Sequence, residues 1–199
     1  VKKPKFCQKK IGQSSPYPCA NNTLTVTISA TTKLFANIST ITIKGINGAE
    51  APTGDIKLTD KSGGQGHHLQ FAPAIGGAQG FGHWDDSSKT LTLQVVQDMD
   101  CSGEYLFAFT IKNQKRKQAA QNVQIEAKRL HLYHLSSFIA PEPMVHDLVS
   151  KPVPTGSAGD AAPMYIWDPV FNIRTVIQNT SVPCADNTIS VSLKSTVPL

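Results

Sequence analysis

The stretch PCANNTLTVTIS at residues 18–29 returns as PCADNTISVSLK at residues 183–194. At a constant offset of 165 residues, positions 4–34 align with 169–199 without a gap and share 11 identities. Pro4, Phe6, Gln13, Pro18, Cys19 and Ala20 meet Pro169, Phe171, Gln178, Pro183, Cys184 and Ala185. Asn22, Thr23, Val26, Thr31 and Leu34 meet Asn187, Thr188, Val191, Thr196 and Leu199. The mismatches keep their character: Leu24 meets Ile189, and Ile28 meets Leu193. A period this long is that of a whole domain rather than of a short solenoid unit. The chain therefore reads as one full repeat followed by the opening of the next. It begins without an initiator Met and stops in mid-pattern, so a longer tandem array is the expectation.

Within the repeat, apolar residues alternate with Thr, Ser and other polar residues. In NTLTVTIS (22–29) Leu24, Val26 and Ile28 fall on one face and Thr25, Thr27 and Ser29 on the other, the period of two that half-buries a β-strand. ISTITIKGI (38–46), DIKLTD (55–60), KTLTLQVV (89–96), EYLFAFTIKN (104–113) and QNVQIEAKRL (121–130) complete six predicted strands. The Gly-rich stretch KSGGQGHHLQFAPAIGGAQGFG (61–82) reads as loop. No helix-length apolar stripe is present, and 40% hydrophobic with 17% charged residues suits a packed core. The predicted class is all-β, an antiparallel sandwich. No run approaches the ~20 apolar residues of a membrane span, and no apolar signal segment stands at the start.

These signals divide the chain into a leading segment (1–16), the sandwich (17–130), a connector (131–168) and the start of the next repeat (169–199). The connector holds Pro141, Pro143, Pro152, Pro154 and Pro163, which bars it from a central strand. It also holds Phe138, Ile139, Met144, Tyr165, Ile166 and Trp167, too apolar a set for a freely solvated linker. It is expected to lie extended against a sandwich or a neighbouring subunit.

In DMDCSGEYLFAF (98–109), acidic turn residues and Gly103 precede Tyr105, which opens an apolar strand. The pattern resembles the tyrosine corner of immunoglobulin-like sandwiches, in which the phenol bonds back to upstream backbone; a plain hairpin Tyr is the alternative. Trp84 is then a core aromatic. The segments FCQKKIGQSSPYPCANNTLTVTIS, ITIKGINGA, HWDDSSKTLTLQVVQDMDCSGEYLFAFTIKNQ and VQIEA resemble a module repeated in giant secreted proteins of algae and other protists, surface and mastigoneme-like fibre proteins among them. The likeness spans most of residues 6–130 and restarts at DPVFNIRTVIQNTSVPCADNTISVSL, with Cys19 where such modules carry Gly. It implies an extracellular, structural, tandemly arrayed immunoglobulin-like module, and neither ligand nor reaction.

Three N-x-[ST] sequons, at Asn21, Asn37 and Asn179, are candidate N-glycan sites, and the stretches SSPYP and KPVPTGS are O-glycan candidates. Four cysteines suit an oxidising compartment. Cys19 with Cys101 is the first pairing considered and Cys7 with Cys19 its rival; Cys184 would await the following repeat and Cys7 a neighbouring chain. The net charge of +5 is densest at Lys112, Lys115, Arg116 and Lys117, a candidate contact for acidic polysaccharide or simply a solvated turn. Without interleaved aromatics it does not suit nucleic acid.

No HExxH, GxSxG or phosphate-binding Gly loop occurs, so catalysis and cofactors are not expected. His67, His68, His83, Asp85 and Asp86 form the one clustered set of potential metal ligands, and Asp98 with Asp100 a thin calcium pattern; solvated loop residues are the simpler reading. Two functional classes follow. The first is a building block of an extracellular fibre or coat, contacting copies of itself or adjacent repeats. The second is a carbohydrate-binding or adhesion module displayed on a cell surface, using the loops that carry His67, His68, His83 and Trp84 or the basic tip, with Trp84 and Trp167 as the candidate aromatic platform.

Overall fold

The computed structural model describes residues 3–101, 103–130, 137–146 and 163–197. Among them the chain is all-β, with fourteen strands and one 3₁₀ turn at His67–Gln70. The strands are β1 (Phe6–Gln13), β2 (Asn21–Ala30), β3 (Thr40–Lys44), β4 (Ala49–Glu50), β5 (Gly54–Asp60), β6 (Phe71–Ala72) and β7 (Phe81–Asp85), followed by β8 (Thr90–Val95), β9 (Tyr105–Asn113), β10 (Gln124–Lys128), β11 (Phe138–Pro143), β12 (Val145–His146), β13 (Phe171–Gln178) and β14 (Ile189–Ser195). All six predicted strands are present, and the Gly-rich stretch holds the 3₁₀ turn, β6 and the start of β7.

One sheet runs β11-β10-β3-β8-β7-β5-β9-β2-β1-β12, with β4 added beside β9 and β6 beside β8. Its two halves share β5. Gly54–Lys57 pair with β7, and Leu58–Asp60 pair with β9. The two ends of the path are held by consecutive strands, since only Met144 separates β11 from β12. Met144 is buried, and its N–H donates to the carbonyl of Val123 at 2.8 Å. Across the same seam Lys9 of β1 pairs with Glu142 of β11. The result is a nearly closed, barrel-like sheet. Near-closure of this kind leaves the path ending at β11 and the two-residue β12, which limits the free edges that make open sheets associate.

The alternation read from the sequence sets the core. Leu24, Val26 and Ile28 of β2, Ile41 and Ile43 of β3, Leu91 and Leu93 of β8, and Phe107 and Phe109 of β9 are fully buried around Trp84. Phe71 packs against Phe107 with ring centroids 4.9 Å apart and the rings tilted by 56°. At Gly82 of β7, paired beside β8, a Cβ would stand 2.6 Å from a Leu93 methyl and 2.8 Å from a Leu91 methyl, so the two leucine side chains occupy the space a side chain there would need.

Residues 6–13, within the expected leading segment, form β1 inside this sheet. Residues 138–146, within the expected connector, form β11 and β12. Pro141 falls in the register shift between Ile125↔Glu142 and Ala127↔Ile139, and Pro143 is the last residue of β11, which itself ends the β-ladder, the positions at which a sheet tolerates proline. The remaining connector, 131–136 and 147–162 with the KPVPTGS O-glycan candidate, lies outside the described residues.

Candidate functional site

The hairpin β1–β2 shows how this pattern is meant to be covered. Its strands pair antiparallel from Phe6↔Ala30 to Gln13↔Leu24, with Cys7 left over as a bulge between Phe6 and Gln8. β9 pairs along its β2 edge, from Asn21↔Lys112 to Ile28↔Tyr105, and β12 pairs parallel along its β1 edge. At the turn end of the hairpin a buried carboxamide cluster fixes this arrangement. Asn22 Nδ2 donates to Gln13 Oε1 (3.1 Å) and to Asn113 Oδ1 (2.9 Å), while Asn113 Nδ2 donates to the carbonyls of Ser15 and Tyr17 (2.9 Å each). Gln13 Nε2 donates to the Tyr165 carbonyl (2.9 Å), and the N–H of Met164 donates to Gln13 Oε1 (2.7 Å). Gln13, Asn22 and Asn113 are thus buried yet mutually satisfied, the condition under which polar groups belong in a core.

The same cluster straps residues 163–167 onto the barrel. Gln118 and Ile166 exchange backbone hydrogen bonds of 3.0 and 2.9 Å, the N–H of Trp167 donates to the Pro16 carbonyl at 2.9 Å, and the Trp167 ring meets the Tyr17 ring edge-on. Lys117 Nζ lies 2.7 Å from Asp168, which raises the lysine's pKa. Lys112, Lys115 and Arg116 are exposed nearby in sequence.

The hairpin β13–β14 repeats the first one bond for bond at the same offset. Phe171↔Ser195 and Ile173↔Lys194 reproduce Phe6↔Ala30 and Gln8↔Ser29, including the bulge, and Gln178↔Ile189 reproduces Gln13↔Leu24. Asn187 Nδ2 donates to Gln178 Oε1 at 3.2 Å, as Asn22 does to Gln13. The N–H of Val170 donates to Thr196 Oγ1 at 3.0 Å, as Lys5 does to Thr31. Cys19 (φ 58°) and Cys184 (φ 61°) take the same left-handed conformation, one that costs glycine nothing. What differs is the cover. Val176, Ile189, Val191 and Leu193 are 54–66% exposed, where their counterparts Ile11, Leu24, Val26 and Ile28 are at 0%. Among the described residues no strand pairs with the outer edge of β13 or β14.

The other singled-out residues have definite places. Asn21, Asn37 and Asn179 are all exposed, at the start of β2, in the β2–β3 turn and just after β13. Tyr105 Oη accepts the N–H of Asp100 at 2.9 Å, and a Cβ at Gly103 would stand 3.0 Å from its ring, so the glycine leaves room for the phenol. Burial raises the Tyr105 pKa. Trp84 is fully buried, its Nε1 donating to Asp86 Oδ1 at 3.3 Å, so its ring is not offered to a sugar.

The cysteine expectation needs correction. All four thiols are exposed and free. Cys19 lies beyond the Asn21↔Lys112 end of the β2–β9 pair and Cys101 beyond the Ile28↔Tyr105 end. Seven residues of strand separate those ends by about 23 Å, against a Cα separation under ~7 Å for a disulfide. Cys7, at the Ser29 end of β1, is likewise parted from Cys19 by the length of the hairpin. Neither intradomain bond forms in this fold.

His67 Nδ1 accepts the N–H of Leu106 (3.1 Å), while His83 faces Asp55 at 3.4 Å from β7. Asp85 accepts from the hydroxyls of Ser87 and Ser88, and Asp98 meets Lys33 at 2.8 Å. Among the described residues no three His, Cys, Asp or Glu side chains converge as metal ligands. Among the same residues, no helix is long and apolar enough to cross a membrane. The Gln13–Asn22–Asn113 cluster was not anticipated. Its signal was nevertheless in the repeat, where Gln13 and Asn22 are two of the identical positions.

No family model matches the chain, and no curated protein does.

Proposed function

We propose that the chain is a structural building block of an extracellular, glycosylated fibre or cell-surface coat assembled from tandem immunoglobulin-like repeats, with no catalytic role. One observation carries this reading. The hairpin Phe171–Ser195 reproduces Phe6–Ala30 in register, bulge, turn conformation and polar contacts, but presents its core face uncovered. Such an element has no use by itself, because an isolated two-stranded hairpin is marginal in water. It acquires one as the opening of another barrel.

Three further features support the reading. The backbone-to-phenol bond at Tyr105 favours an immunoglobulin-like relation between the two sheet halves. The sequon residues are on the surface, where a glycan projects without disturbing the core. The strap at 163–167 fixes the chain to one barrel immediately before the next hairpin starts, which limits the freedom of successive units. A carbohydrate-binding role would call for an exposed aromatic platform; Trp84 is fully buried, and Trp167 is half-buried with its ring edge-on to Tyr17.

The test is electron microscopy of the native assembly, combined with intact mass and glycopeptide mapping of the secreted chain. Regular filaments or a lattice, from a chain carrying glycans at Asn21, Asn37 or Asn179, are expected. A monodisperse, unglycosylated 21.4 kDa monomer would overturn the proposal.

A further inference from the structure

Resting on the tandem-repeat reading, we infer that the free edge of β14 takes an antiparallel strand of the chemistry of β9. That strand is apolar at alternate positions, carries Thr opposite Thr188 and ends in a carboxamide side chain that reaches Asn187. The first hairpin supplies the specification. Leu24, Val26 and Ile28 lie opposite Phe109, Phe107 and Tyr105, so Ile189, Val191 and Leu193 call for large apolar or aromatic partners at the same three steps. Thr23 Oγ1 meets Thr110 Oγ1 at 2.9 Å on the outer face, and Thr188 is its identical counterpart. Asn22 meets Asn113, and Asn187 already holds Gln178 in the geometry Asn22 uses, with the second contact unfilled by any residue described. Three apolar contacts, one hydroxyl pair and one carboxamide pair together fix both direction and register.

Hairpin exchange with a second copy does not satisfy this demand. Each copy carries two hairpins of this kind and one β9–β12 slot, which β1–β2 fills. Exchange therefore leaves one hairpin per chain uncovered, as before. The occupant has to be a strand whose own β2-type neighbour is missing, and a free peptide with the β9 sequence is the simplest such probe.

The experiment adds a synthetic peptide of residues 104–117, EYLFAFTIKNQKRK, to the full chain and follows backbone amide exchange by NMR. Saturable 1:1 binding is expected, with added protection confined to the amides of Ile189–Ser195 that do not bond β13. Val191→Asp in the chain is expected to weaken binding by at least about tenfold, and a peptide with Leu in place of Asn113 by about tenfold. Because Val191 is exposed in the chain, that variant leaves the barrel folded, which its unchanged spectrum would verify. A formed β13–β14 hairpin that gains no protection, or peptide binding that survives Val191→Asp, overturns this inference alone. Cross-strand pairing of β13 with β14 in a register other than Phe171↔Ser195 to Gln178↔Ile189 would instead overturn the repeat reading on which it rests.

Discussion

The hairpins Phe6–Ala30 and Phe171–Ser195 share their pairing register, their bulge and the left-handed cysteine in the turn, yet one lies in the core and the other in solvent. The shared features are local: they depend on turn conformation, on side chains within the hairpin and on the alternation of apolar residues. Burial is not local. It comes from β9, more than 75 residues further along the chain than β2, and from β12 beyond it. Fully burying an aliphatic side chain contributes roughly 1.5–3 kcal/mol, so the four exposed counterparts Val176, Ile189, Val191 and Leu193 hold a substantial unspent driving force for association. A sequence pattern can therefore fix the shape of an element while leaving its stability to residues elsewhere.

The sharpest way to break this comparison is to place a charge at equivalent positions. Val26→Asp buries an unpaired carboxylate and is expected to cost about 4 kcal/mol or more, enough to unfold a marginal domain. Val191→Asp is expected to move the barrel's denaturation midpoint by less than about 0.5 kcal/mol. Urea unfolding of the two variants checks both, and equal effects would mean that the second hairpin is not open.

The carboxamides give a smaller contrast. Asn22→Leu takes from Asn113 Oδ1 its donor in the core and should cost about 1–3 kcal/mol, while Asn187→Leu should fall within about 0.5 kcal/mol of the parent. The same unfolding assay applies. Tyr105→Phe removes the acceptor for the Asp100 N–H and should cost about 1 kcal/mol, with amide exchange in β13–β14 unchanged, because the second hairpin owes nothing to that corner.

The smallest effect is electrostatic and belongs to the barrel's loops. The Ser87 hydroxyl, then the Ser88 hydroxyl and the Ser87 N–H, hold the Asp85 carboxyl at a pKa of about 2. Hydrogen bonds led by the Ser62 hydroxyl hold Asp60 well below the ordinary carboxylate range. A lowered folded-state pKa means a contribution that is complete above the unfolded value near 3.8 and lost as the pH falls through the folded value. Acid should therefore loosen the barrel between about pH 4 and pH 2. Asp85→Asn should flatten that limb of the melting temperature against pH.

Much of this was legible in the sequence, for physical reasons that differ by element. β2, β3, β8 and β9 are half-buried antiparallel strands, and their period of two is written in Thr and Ile, Val or Leu. β1 and β13 carry little alternation because the positions opposite the core face of the partner strand are Lys9, Ile11 and Gln13 in one and Arg174, Val176 and Gln178 in the other, and the bulge after the first residue puts Phe6 and Phe171 out of step. β7 was hidden by Gly82, whose lack of a side chain is a packing requirement of Leu91 and Leu93 rather than a loop signal. β11 was hidden by two prolines that its position at the end of the ladder allows. In the candidate site, the repeat itself located the second hairpin, while the role of Asn113 depended on a contact with Asn22 across 91 residues that no local pattern encodes. The separation of Cys19 from Cys101 likewise follows only from the direction in which β9 runs beside β2.

The most direct measurement is to supply the missing body in cis. In a chain extended after Leu199 by a second copy of residues 35–168, Thr196–Leu199 take the place of Thr31–Leu34, so the second hairpin receives its own β9 and β12. Amide exchange should then show Ile189, Val191 and Leu193 protected to the level of Leu24, Val26 and Ile28, with the unfolding enthalpy roughly doubled. An appended segment that stays unfolded, with β14 exchanging as fast as in the parent chain, would contradict the claim that the second hairpin opens another barrel of the same kind.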